Sequence, residues 1–538
     1  MSDHTPPVHR SIGEGGRFSA GRHAGVLVPL FSIPTRRSWG VGEIPDLLAL
    51  GQWLNHAGLD FVQLLPMNEM QEGQSSPYSA LSAMAIDPIF IALNDVHDWI
   101  VAGRSLMSDA DHAAIDASRH TPRVDYASVR RIKNDALRKS FSWFAKHLDQ
   151  KGAKDRDRRV RAFHAFEERE AWWLDDYVLF RALHDAFGGR HWREWEDGVR
   201  DRDPSALASA RERLAPEIRY YGYLQWLADE QWRRVRAEAP VGLFGDFPFM
   251  VSGHSADVWS RQHEFDLDAS VGTPPDAFSV TGQDWHLPAY RWNVVEASGD
   301  AWLRDRARRS AELFDGFRID HLIGFFRTYV RKPGYEPGFQ PAGEHAQRAM
   351  GERLLSMFAE SGATVIAEDL GTVPDFLRES LAARRLPGMK VMRWEREWHD
   401  PGQPFRDPAS YPAVSVATSG THDTETLAEW WDGADEAERR ALLALPEFAP
   451  ANIPADAPFS DRVRDAMLEA LFASGSNILI LPIQDIFGWR DRVNVPALVD
   501  DRNWTWRLPA PIEDLAASPA SHERASFLQS LAQKYGRV

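Results

Sequence analysis

Gly316-Phe317-Arg318-Ile319-Asp320-His321 is the stretch whose reading decides the fold. Extended backbone sends successive side chains to opposite faces, so Arg318 and Asp320 share one face and Phe317 and Ile319 the other. Two apolar side chains on one side and an arginine–aspartate pair on the other suit a strand of a β/α barrel. The outer face packs on helices, and the strand's end opens on a site. A neighbouring arginine favours an ionised carboxylate, which a nucleophile needs at neutral pH. Taken alone, the hexapeptide equally admits a buried Arg–Asp pair that only orders the core.

Outward from it, further short apolar runs read as strands: Gly25–Phe31, Phe61–Pro66, Gly242–Pro248, Thr364–Gly371, Met389–Trp394, Tyr411–Asp423 and Asn477–Pro482. Helical spacing separates some of them. Ile44–Gly58 carries Leu47, Leu48, Leu50, Trp53 and Leu54 on one face, and Ala349–Glu360 carries Met350, Leu354 and Phe358. Gly58 and Gly362 suit the ends of these two helices. Strand–helix alternation predicts parallel βα units. The expected fold is a (β/α)8 TIM barrel with inserted, mostly helical subdomains and long loops at its C-terminal face.

The division that follows has a loose, polar N-terminal tail over residues 1–24 and the first part of the barrel over 25–95. A charged, Trp-rich helical insertion spans 96–224, and the barrel resumes over 225–510. That second part holds a long loop at 272–286, placed over the site, and a helical insertion at about 426–475. A C-terminal helical segment closes the chain over 511–538, its main helix at about Ser521–Lys534.

The totals exclude several function classes. Of 538 residues, 62 are Lys or Arg and 78 Asp or Glu, a net charge of −16. That argues against nucleic acid or an anionic membrane as partner. With no cysteine there is no disulfide, thiolate nucleophile or Cys-based metal site. No signal peptide or membrane-length apolar run is present, which fits a cytoplasmic protein. The 21 tryptophans serve either core packing or stacking against sugar rings. No metal cluster or nucleotide-binding glycine loop appears, so no cofactor is implied.

Three of the strands end in acids: Asp320, Glu368 and Asp423. A barrel would gather them at one mouth. Two carboxylates flanking one bond are the minimum for glycosidic cleavage, one ionised to attack and one protonated to help the leaving oxygen depart. Asp320 beside Arg318 suits the first role. Glu368, after Val365-Ile366-Ala367, sits in apolar surroundings that raise a carboxyl pKa and suits the second. Asp423 could stabilise charge building on the sugar ring. The plain alternatives are a strand-end salt bridge for Glu368 and a loop cap through Thr421 for Asp423.

The blocks Gly316–His321, Ala367–Gly371 and Gly420-Thr-His-Asp423 resemble those of the α-amylase superfamily. A wider set resembles the amylomaltase-type 4-α-glucanotransferases of glycoside hydrolase family 77. It comprises Ser76-Pro-Tyr78, Gly245–Pro248, Pro274-Pro-Asp276, Gly282-Gln283, Trp285, Pro288, Tyr290-Arg-Trp292, Gln484-Asp485, Asn494-Val-Pro496 and Asn503–Trp506. The resemblance implies that Asp320 is the nucleophile, Glu368 the acid/base, Asp423 the transition-state stabiliser and Arg318 the residue that holds Asp320. It implies that His321 and His422 bind sugar hydroxyls, that Asp246 supports the site, and that Tyr78, Asp276, Gln283, Trp285 and Asn494 contact substrate. For the histidines, bracing a strand end is the plain alternative; for Tyr78 and Trp285 it is loop packing. The chain departs from the family pattern at Met67–Gly73, Ala277, His286-Leu287 and Thr424-Glu425.

The implied reaction is retaining transfer from an α-1,4-glucan or maltooligosaccharide to an acceptor such as glucose. Asp320 and Glu368 should then lie roughly 5–5.5 Å apart. Two other readings fit the residues: an α-glucan hydrolase with the same carboxylates, and a catalytically silent glucan-binding protein. No oligomeric state is legible.

Overall fold

The computed structural model describes residues 21–103, 107–148, 154–275, 281–496, 498 and 500–537. Its strands, in chain order, are β1 (His23–Leu27), β2 (Phe61–Gln63), β3 (Gly242–Phe247), β4 (Phe265–Thr273), β5 (Gln283–Tyr290) and β6 (Gly316–Ile319). They continue with β7 (Thr328–Arg331), β8 (Gly338–Gln340), β9 (Thr364–Ala367), β10 (Gly388–Val391), β11 (Ser415–Thr418) and β12 (Ile478–Pro482). Eight of them close a parallel barrel in the order β1-β2-β3-β6-β9-β10-β11-β12. All eight overlap the runs read as strands, and the fold is a (β/α)8 barrel.

Within β6, Phe317 and Ile319 are fully buried. Across the ladder, Arg318 lies opposite Asp246 of β3 and Ile366 of β9. That register puts an acid beside the arginine's face before any loop contributes. Entry to β6 is tight: a Cβ on Gly316 would stand 2.3 Å from the Phe244 ring.

The long loop expected at 272–286 is a correction. Its two sides are the converging ends of β4 and β5, which pair antiparallel and join β7 and β8 in a sheet ordered β5-β4-β7-β8. Register shifts between Asp266 and Ser270 and between Val271 and Gly272 break the period-two pattern that marks a strand. Pro288, inside β5, adds a residue normally foreign to strand interiors.

Two boundaries also move. β1 begins at His23, inside the stretch read as a tail. The limit at residue 224 falls within a single helix, Ala215–Glu238, which runs straight from the helical region to β3. The helices before it are Asp109–Arg119, Tyr126–Leu148, Lys154–Ala186, Asp197–Arg200 and Pro204–Arg213. Buried ion pairs tie this region to the barrel. Lys133 Nζ lies 2.6 Å from a Glu43 oxygen, and the Arg130 guanidinium grips both Asp87 oxygens at 3.0 and 2.6 Å. Trp192, Trp226 and Trp232 are buried there, so these tryptophans pack the core and do not serve as platforms.

Beyond β11 come the helices Leu427–Gly433, Glu436–Leu443 and Asp461–Ala473. At the C-terminus, Ile512–Ala517 and Pro519–Lys534 lie against Asp46–His56. The final described residue, Arg537, is buried and donates to the carbonyls of His23, Phe472 and Ser474. The chain end therefore closes the face of the barrel opposite the acids.

Candidate active site

Asp320 follows β6 directly, and its N–H donates to Phe247 O (3.0 Å). Glu368 follows β9 in the same way, its N–H donating to Ile319 O (3.1 Å). The barrel ladder thus sets both carboxylates side by side before side-chain contacts are counted. Arg318, 4% exposed, joins them. Its Nη1 donates to both Asp246 oxygens (2.8 and 2.9 Å), while Nη2 lies 2.9 Å from Asp320 Oδ1 and 3.4 Å from Glu368 Oε2. Because one nitrogen reaches both, those two oxygens lie within the sum of 2.9 and 3.4 Å of each other, a limit that admits the roughly 5–5.5 Å of a retaining pair.

Glu368 is 15% exposed in its side chain. Burial pushes its carboxyl up to about 7; Arg318 works against that shift and Asp320 with it. Glu368 Oε2 also accepts the His321 N–H at 2.6 Å. His321 itself stands in the left-handed region (φ 46°), a conformation costing on the order of 1 kcal/mol for a non-glycine residue. The His321 ring sits between Trp285 (4.9 Å, edge-on) and Phe249 (5.8 Å). Burial takes its imidazole down to about 4, so it is neutral at pH 7.

Asp423 sits five residues beyond β11, in a loop and not at the strand end. Burial opposes its charge, but the His422 imidazole and the Asn494 amide hold the carboxyl well below the usual range. Asn494 Nδ2 donates to Oδ1 at 2.6 Å, and His422 Nε2 lies 3.3 Å from Oδ2. The loop cap weighed for it is present in another form: the Thr421 hydroxyl accepts the Asp423 N–H (3.2 Å), so the cap engages the main chain and not the carboxylate.

Tyr78 links the two halves. Its hydroxyl donates to Asp246 Oδ2 (2.6 Å) and lies 3.1 Å from His422 Nε2, with the two rings stacked at 5.6 Å. A continuous polar chain therefore runs from Glu368 and Asp320 through Arg318, Asp246, Tyr78 and His422 to Asp423 and Asn494. Gln283 accepts the Trp285 indole N–H at 3.0 Å, which orients the ring that meets His321. Of the residues expected at the site, all but Asp276 are brought to this mouth; Asp276 lies outside the described residues, as does Ala277.

The family model for 4-alpha-glucanotransferases, glycoside hydrolase family 77, matches residues 28–513. The chain belongs to this family. The 4-alpha-glucanotransferase of Thermus thermophilus is 34% identical over 513 residues, covering 90% of this chain and 95% of its own. That of Chlamydia pneumoniae is 30% identical over 533 residues and 95% of each chain. Among solved structures, an amylomaltase from Streptococcus agalactiae in complex with acarbose superposes with a TM-score of 0.79 at 27% identity, covering 96% of this chain and 99% of that one. The chain is thus an enzyme of the glucanotransferase class, whose members act on α-1,4-glucans.

This family member also uses residues that the sequence reading did not single out. Trp504 packs on Tyr78 and His422, both at 5.6 Å. Arg492 donates to the Asp423 carbonyl at 2.9 Å. Both lay close to matched positions: Arg492 is two residues before Asn494, and Trp504 is inside the Asn503–Trp506 block. Neither lies in a regular strand or helix, so no periodic pattern pointed to them.

Proposed function

We propose that the chain cleaves an α-1,4-glucan by double displacement and transfers the released segment to the 4-hydroxyl of a maltooligosaccharide or glucose. Asp320 attacks the anomeric carbon while Glu368 protonates the departing glucosyl oxygen. The glycosidic bond breaks as an ester to Asp320 forms. Glu368, now ionised, takes the proton of the acceptor hydroxyl, whose oxygen displaces Asp320. Two inversions return the α configuration. Asp423 stays ionised and balances positive charge on the ring in both steps. Arg318 holds the nucleophile, while neutral His321 and the His422 edge meet ring hydroxyls.

One observation carries this reading: a single arginine nitrogen lies against both Asp320 and Glu368, while burial leaves Glu368 able to hold a proton near pH 7. Transfer over hydrolysis requires an acceptor held well enough to outcompete water. Trp285 and Gln283, at the start of β5, form one wall for it. We place the reaction in the cytoplasm, in keeping with a chain that has no cysteine. Among the described residues no helix is long and apolar enough to cross a membrane.

The test is incubation with maltotriose. Transfer yields glucose together with longer oligosaccharides. A profile holding only glucose and maltose would mean that water is the acceptor and would restore the hydrolase reading, which family membership does not favour.

A further inference from the structure

The loop that presents His422 and Asp423 departs from the family pattern at Thr424-Glu425, and a buried arginine meets it there. Arg393, 3% exposed, lies on the single turn Met392–Trp394 that follows β10. Its Nε and Nη2 donate to Ser419 O (3.2 and 2.9 Å), and its Nη1 donates to Glu425 O (2.8 Å). One planar guanidinium thus holds the main chain on both sides of His422-Asp423. After β12, Asp485 accepts from the Ser419 hydroxyl (2.6 Å) and the Leu427 N–H (2.7 Å), and its charge favours the nearby Arg393 guanidinium.

Inside the grip the loop is cross-braced. Thr424 Oγ1 accepts the Thr421 N–H and donates to Thr421 O, both at 3.0 Å. There is no slack at its start: a Cβ on Gly420 would lie 2.3 Å from Thr424 Oγ1 and 3.3 Å from Arg393 Nη2. The Glu425 carboxylate is a lesser partner. It is 3.8 Å from Arg393 Nη1 and 43% exposed, so the hold on residue 425 is through its carbonyl and not its charge.

We propose that Arg393 is a positioning residue for the reaction: by forking between Ser419 O and Glu425 O it fixes the loop so that Asp423 and His422 meet the sugar ring. This rests on the reading of Asp423 as the charge stabiliser. A lysine puts its donors on one nitrogen of a flexible stem in place of a rigid three-nitrogen fork, so it cannot reproduce the three spaced contacts that fix the two carbonyls. A catalytic group misplaced by about 1 Å costs on the order of a hundredfold.

The experiment compares R393K, E425Q and D423N with the parent chain, using maltotriose as donor. R393K should lose about tenfold to a hundredfold in kcat with KM within about twofold. E425Q keeps the carbonyl contact and should stay within about twofold of the parent. Retention of more than half of kcat by R393K would overturn the proposal. So would a deficit that vanishes on cooling to a temperature at which circular dichroism shows the variant fully folded, because the arginine would then serve stability alone. D423N separates the two readings: full activity there would sink the stabiliser role itself, whereas an inactive D423N beside a fully active R393K would sink only the clamp.

Discussion

Glu368 and Asp423 are both acids at the same end of the same barrel, and their surroundings drive them in opposite directions. Glu368 follows its strand directly and is mostly covered, and burial raises its carboxyl to about 7. Asp423 stands on a loop, keeps 42% of its side chain exposed, and is held far below the usual range by His422 and Asn494. Depth and donors therefore work in the same direction. The donors that each carboxylate receives separate an acid from a permanent anion, and their separation lets one mouth supply both.

The largest expected effect breaks the pair apart by substrate. E368Q should lose roughly 10³-fold with maltotriose, yet still form the ester from α-maltotriosyl fluoride, whose leaving group needs no proton. D423N should lose roughly 10²- to 10³-fold with both donors, because charge on the ring develops in either case. Equal rescue of the two variants by the fluoride would erase the distinction.

A smaller effect is the pH profile. Glu368 must be protonated to act as acid, so kcat should fall about tenfold per pH unit above about 7. Asp423 remains ionised throughout the neutral range and contributes no limb there. A profile flat to pH 9 would contradict the assignment.

Smaller still, N494A removes one charged hydrogen bond from Asp423 and should cost roughly tenfold in kcat. Glu368 keeps its surroundings in that variant, so the alkaline limb should stay in place.

The smallest effect is on stability. The folded-state value for Glu368 lies above its ordinary 4.5, so the folded protein holds the proton more tightly than the unfolded chain. Stability then falls as pH rises from 4.5 to about 7, and the deficit persists above that. E368Q should therefore raise Tm by about 1–2 °C at pH 8 and leave it unchanged at pH 4. Calorimetry at the two pH values checks this, and an equal shift at both would refute it.

The barrel was legible because its strands are short apolar runs, some of them stopped by a polar or charged residue, as in Thr364–Ala367 before Glu368. The β4–β5 pair was not, because its register shifts and Pro288 erase the alternation that marks a strand. The acids were legible one by one, but their connection was not. Tyr78 reaches Asp246 and His422 across 168 and 344 residues of chain, and no local pattern encodes such contacts. Arg393 resembles Arg318 in being an arginine that follows an apolar run, yet it escaped notice. The acid two residues on, Glu395, turns to Lys390 (3.5 Å), so the Arg-x-Asp signal of β6 has no counterpart there.

The central claim is an ester on Asp320 that a second sugar displaces. Mass spectrometry of E368Q after incubation with α-maltotriosyl fluoride tests it most directly, since the ester forms there and its turnover lacks a base. The account predicts one added maltotriosyl unit, located in the peptide that contains Asp320. An adduct on Asp423, or an unmodified chain beside a product of β configuration, would contradict it.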